Sequence, residues 1–79
     1  MADKRTVEEK ELAALAKRFR EEAGKSKVDA ARELEVAAPS IFNAEERPDM
    51  SLTKLRIRII ETYSPYSVTG PVFLLHRKR

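Results

Sequence analysis

Amides, hydroxyls and cations carry the usable chemistry of this 79-residue chain. Asn43 offers a carboxamide that donates and accepts at once, the combination that matches the major-groove edge of adenine. Ser40, just upstream, can exchange a hydrogen bond with several bases or with a phosphate oxygen. Arg47 and Lys54 follow as cations of the kind that pairs with phosphate. Ala38, Pro39 and Phe42 can make only apolar contact, for instance with a thymine methyl. Nucleophilic and metal chemistry have no comparable set. The single histidine, His76, stands in a basic tail with no carboxylate pair beside it. Cysteine is absent, and there is no glycine-rich phosphate loop. A binding protein is therefore expected rather than an enzyme, with no metal and no cofactor.

Residues 27–46, KVDAARELEVAAPSIFNAEE, must position most of these groups. Ala30, Ala31, Leu34, Val36, Ile41 and Ala44 are apolar or small, and the residues between them are mostly polar. This spacing predicts two short helices crossing closely at Ala31, a helix-turn-helix unit that presents its second helix outward. Ser26 is the expected cap of the first, with Asp29 completing the box, and that helix should span 27–34. Glu35 then occupies a turn position that favours a left-handed backbone and hence glycine, at a strain of ~1 kcal/mol. Pro39 suits the first turn of the next helix, which should stop near Glu46, ahead of Pro48.

Flanking segments supply the rest of the domain. Thr6-Val7-Glu8-Glu9 reads as a capping box, followed by a long helix to Ala23 that Gly24 closes. Leu12, Leu15, Ala16, Phe19 and Ala23 share one face of it, with Lys10, Lys17, Arg18 and Glu21 solvated on the other. Ser51 is the expected cap of a fourth helix through Leu52, Leu55, Ile59 and Tyr63, ended by Ser64-Pro65, with Ile57 and Ile60 partly off the core face. Tyr66–Thr69 and Val72–Leu75, rich in β-branched and aromatic residues around Gly70-Pro71, predict a hairpin or one bent strand. The expected division is a helical domain over 1–63 and a β extension with a basic tail over 64–79.

Bulk properties narrow the partners. The net charge of +3 is modest, but it is unevenly placed. Residues 26–46 carry −3, with Lys27 and Arg32 outweighed by Asp29, Glu33, Glu35, Glu45 and Glu46. Residues 47–79 carry +5, with Arg47, Lys54, Arg56, Arg58, Arg77, Lys78 and Arg79 against Asp49 and Glu61. The positive field thus lies C-terminal to the helical pair, and Arg77-Lys78-Arg79 could serve as a basic arm. No apolar run approaches the ~20 residues of a membrane span. MADKRTVEEKE lacks an apolar signal core, and the absence of cysteine suits a reducing cytoplasm.

The stretch 24–56, GKSKVDAARELEVAAPSIFNAEERPDMSLTKLR, resembles the phage-repressor (Cro-like, XRE) helix-turn-helix family. The matching marks are Gly24 and Ser26, the small residue Ala31, Leu34 and Val36 about the turn, Ile41, Glu45, and Ser51-Leu52. Three features depart from the family pattern: Lys27 where a glutamine is usual, Glu35 in place of the turn glycine, and few polar groups on the exposed third helix. The resemblance implies a mainly α fold, a four- to five-helix repressor-like domain with a C-terminal β-strand or hairpin. It implies double-stranded DNA as partner and transcriptional regulation, bacterial or phage. Ser26, Lys27, Arg47 and Lys54 would lie at phosphates. Ala38, Pro39, Ser40, Phe42 and Asn43 would lie at bases, and Glu45 would make an internal hydrogen bond. A lone domain of this size would bury little DNA surface, so a homodimer is expected, with half-sites about 34 Å apart. Val72, Phe73 and Leu75 are the expected joining residues. The competing expectation is a protein-interaction module, antitoxin or adaptor in type, built on the same fold.

Overall fold

The computed structural model describes residues 4–70 and 73–78. Within them the chain runs β1 (Lys4–Val7), α1 (Glu9–Glu22), α2 (Lys27–Leu34), α3 (Ala38–Glu46), α4 (Thr53–Tyr63), β2 (Tyr66–Thr69) and β3 (Phe73–Arg77). The architecture is mainly α: four helices, with α1 laid most extensively on α4, and one three-stranded antiparallel sheet. Leu12, Ala16, Ala30, Ile41, Ala44, Ile59 and Ile60 form its fully buried centre. Among the described residues no helix is long and apolar enough to cross a membrane.

Local signals set the first three helices. Gly24, at φ 73°, closes α1 in a Schellman turn: its N–H reaches the Glu21 carbonyl at 2.9 Å and the Lys25 N–H reaches that of Arg20 at 3.2 Å. Ser26 caps α2 and exchanges hydrogen bonds with Asp29. Glu35 closes α2 at φ 59°, ψ 46°, left-handed as its position predicts, and the Val36 N–H reaches the Ala31 carbonyl at 2.9 Å. Glu35→Gly should therefore stabilise the fold by about 0.5–1 kcal/mol: the left-handed strain is relieved, offset in part by a freer unfolded chain. Thermal unfolding followed by circular dichroism should show a melting point higher by a few degrees. An unchanged or lower one would mean that the turn is unstrained.

The N-terminus differs from expectation. Thr6 does not cap α1, because its backbone lies in a strand opposite Leu74 of β3. Glu8 takes the capping position instead, in a reciprocal box with Glu11. The buried stripe of α1 also turns away from Ala23, which is exposed, toward Leu12, Ala13, Leu15, Ala16 and Arg20. Phe19 is half-buried, its ring 5.8 Å from that of Tyr66 in β2. Ser51 likewise does not cap α4: Leu52 stands at the N-cap, its carbonyl accepting from the Arg56 N–H at 3.0 Å. Ile60 is fully buried and only Ile57 lies part way out, because the sheet covers a face of α4 that a helices-only core would leave open.

The tail is a hairpin, and it is integral to the fold. β3 lies in the middle of the sheet, with β1 on one edge and β2 on the other. Leu75 is 3% exposed and packs with Val7 and Val68 in the core, and Phe73 is half-buried. Neither the β3 backbone nor Leu75 is left over to join a second chain, which corrects the expected role of Leu75. Val72 lies outside the described residues.

Candidate nucleic-acid interface

α3 has two chemically distinct sides. Ile41, Ala44 and Glu45 point inward and are buried, whereas Ala38, Pro39, Phe42 and Glu46 are exposed. The helical period sets Pro39, Phe42 and Glu46 opposite Ile41 and Ala44; Ala38 and Glu45, seven residues apart, share a flank between them, exposed at the start of the helix and buried at its end. Pro39, in the first turn, removes only an N–H that the helix would leave unpaired. Phe42 is 49% exposed, a large aromatic ring held in water. Ser40 and Asn43 are half-buried at the margins of that face.

Three arginines hold this helical pair, Arg20 and Arg56 from the buried side and the exposed Arg58 at the end of α2. The Arg20 Nε and Nη2 donate to Glu45 Oε2 and Oε1 at 2.6 and 3.0 Å, joining α1 to α3 through a buried two-point ion pair. Its remaining Nη1 donates to the Lys25 carbonyl at 2.6 Å. Glu45 thus has the internal partner expected of it. Arg56, fully buried, donates from Nε to the Ala44 carbonyl at 2.8 Å and from Nη2 to the Arg47 carbonyl at 2.7 Å. It occupies the negative end of the α3 dipole. Its Nη1 lies 3.7 Å from Glu9 Oε1, and that carboxylate also accepts from the Thr53 hydroxyl. Arg58 caps α2 by donating from Nη2 to the Leu34 carbonyl at 2.8 Å.

These arginines were not anticipated as structural. Arg20 continues the i, i+4 series of Leu12 and Ala16, and Arg56 lies midway between Leu52 and Ile60 on the stripe of α4. Their place on an apolar stripe was the available signal. Chemical type argued the other way, because arginine is seldom fully buried unless paired.

Cations around the exposed face differ in their freedom. The Lys27 ammonium lies 5.8 Å above the Phe42 ring, bringing the start of α2 onto α3. Lys54 is exposed and has no ion-pair partner among the described residues. Ser40, Lys54 and Arg58 line a shared groove of about 650 Å³ between α3 and α4, floored by Val36, Leu52 and Leu55. Arg47 is exposed but engaged, with Nη2 and Nε each 3.3 Å from a carboxylate oxygen of Asp49. That hydrogen-bonded contact holds the Asp49 carboxyl below its usual range. Lys17 lies 2.9 Å from Glu46; their hydrogen bond raises the lysine and lowers the glutamate, so both stay charged and mutually satisfied.

Ser26 is also committed. Its Oγ accepts from the Asp29 N–H at 3.0 Å, and its own N–H donates to Asp29 Oδ2 at 3.2 Å. The backbone hydrogen bond from Ser26 holds the Asp29 carboxyl below its ordinary range, so the start of α2 already carries an anion. In the tail, the Arg77 guanidinium lies 5.9 Å from the Tyr66 ring centre. Lys78 donates to the Glu61 and Ser64 carbonyls at the end of α4. These two residues are tied to the body rather than extended as an arm, and Arg79 lies outside the described residues.

The structure therefore gathers Lys27 with Phe42, and Ser40 with Lys54, about one outward helix; it places Ser26 in a closed cap and Arg47 in a local ion pair. No known protein family, curated protein or solved structure matches this chain.

Proposed function

We propose that this protein binds double-stranded DNA as a helix-turn-helix transcriptional regulator, with α3 lying in the major groove. The observation that carries the reading is the two-sidedness of α3. Buried side chains and the Arg20–Glu45 pair hold its back, while Ala38, Pro39 and Phe42 are exposed, with Lys27 over the Phe42 ring and Lys54 sharing a groove with Ser40, neither cation ion-paired among the described residues. The likeness of residues 24–56 to the Cro-like unit supports the same docking, with Asn43 and Ser40 as the polar groups nearest the bases. Lys27, Lys54 and Arg58 are the cations best placed for phosphates. A dimer would double those contacts, through a surface other than the β3 backbone.

Fluorescence anisotropy with a labelled random-sequence duplex tests this directly. Affinity should fall steeply with salt, by roughly 0.9 in the log–log slope for each phosphate neutralised. The double variant Lys27→Ala/Lys54→Ala should flatten that slope by roughly 1.8 on the same rule. Absent or salt-independent binding would refute the proposal. It would favour the protein-interaction reading, for which the specific support is exposed apolar surface: Phe42 at 49% and Val28 at 57%.

A further inference from the structure

The face that α3 turns outward carries one carboxylate, Glu46, and is otherwise carbon. Ala38, Pro39 and Phe42 project from it without a single side-chain hydrogen-bonding atom. The polar residues nearby are partly covered or paired: Ser40 and Asn43 are half-buried at its margins, Glu46 is paired with Lys17, and Arg47 with Asp49. The first turn of α3 contains no acidic side chain. Lys27 lies over the Phe42 ring with its ammonium free of any ion pair among the described residues, and Lys54 is likewise unpaired. An apolar strip flanked by two cations that form no ion pair among the described residues, Lys27 with Glu46 in its vicinity, suits a groove whose walls are phosphate.

Within a major groove, such a strip has few favourable partners. Guanine, adenine and cytosine present donors and acceptors there, and covering these with carbon strips their water without replacing it. Thymine presents a methyl group at its 5-position beside a single acceptor, O4. A cytosine methylated at the same carbon offers the same apolar knob in the same place. We infer that α3 recognises the 5-methyl groups of pyrimidines, thymine and 5-methylcytosine alike, through the carbon surface of Ala38, Pro39 and Phe42. This rests on the DNA-binding reading above and gives that face its ligand.

The test compares a short labelled A·T-rich duplex with the same duplex carrying uracil in place of every thymine, and a G·C-rich duplex with and without 5-methylcytosine. Each methyl buried should tighten binding by about fourfold. The thymine and 5-methylcytosine duplexes should therefore bind about four- to fifteenfold more tightly than their unmethylated counterparts, for one or two methyls buried. Phe42→Ala should bring both ratios close to one and leave the salt dependence in place. Phe42 is half exposed, so this variant should keep its helical circular dichroism. Equal binding of methylated and unmethylated duplexes, with steep salt dependence, would overturn methyl recognition and leave DNA binding standing. A methyl preference untouched by Phe42→Ala, in a variant of unchanged helicity, would overturn the assignment to this face. No salt-dependent binding to any duplex would overturn both readings.

Discussion

Glu45→Ala is expected to destabilise the domain by about 3–5 kcal/mol, because it leaves a buried guanidinium without its counter-ion. Both hydrogen bonds from Arg20 to Glu45 are lost at once, and the Glu45 side chain is fully buried. Domains of this length have about 4–12 kcal/mol of stability in total, so the loss would remove from about a quarter to all of it. Urea titration followed by circular dichroism reads the loss as a shifted midpoint. A companion variant separates the pair from its parts. Arg20→Met/Glu45→Leu removes both charges and should recover most of the stability, since buried ion pairs replaced by well-packed apolar groups are often neutral or better. A Glu45→Ala loss below about 1 kcal/mol would place the pair in water rather than in the core.

Arg56→Met should follow closely, at a cost of about 2–4 kcal/mol. Methionine fills much of the arginine stem's volume but donates nothing. The Ala44 and Arg47 carbonyls would be stranded at the end of α3, and Glu9 would lose its nearby cation. Arg56→Lys keeps the charge but not the rigid fork that reaches two carbonyls, so it should recover only part of the loss. Arg58→Ala is the internal comparison. Arg58 is exposed and its bond to Leu34 is partly solvated, so removing it should cost less than about 1 kcal/mol. Hydrogen exchange at the last turn of α3 should speed up in Arg56→Met and not in Arg58→Ala. Equal losses from the two variants would mean that burial is not what gives Arg56 its effect.

Both variants act on α3, which explains their joint importance for the proposed interface. One arginine fixes the helix from its buried side and the other from its C-terminal end. Neither touches the exposed face, so folded protein of either variant should keep whatever ligand preference Phe42 confers.

Much of the frame around that face was readable from neighbouring residues. Ser26 with Asp29 started α2, Gly24 and Glu35 marked left-handed turns, and Pro39 and Pro48 bracketed α3. Each of these signals acts within a turn or two of the chain, so the residues that decide the outcome are adjacent in the text of the protein. The apolar rhythm of residues 30–44 likewise placed Ile41 and Ala44 on the buried side of α3.

Other features depend on residues distant in the chain. KRTV is too short and polar to declare itself a strand. It becomes one because β3, some seventy residues on, presents a free edge to it, and that pairing removes Thr6 from its expected cap. Leu75 looked free to join a second chain until β1 and β2 enclosed β3 and its side chain met Val7 and Val68. The burial of Arg20 and Arg56 was not legible because a guanidinium needs a partner before it can be buried. For Arg20 that partner lies 25 residues away, and for Arg56 it is two carbonyls at the C-terminal end of α3, one on the helix and one on its cap residue. Periodicity and capping chemistry are local and survive in an isolated segment; strand pairing and the burial of charge exist only once the chain has closed on itself.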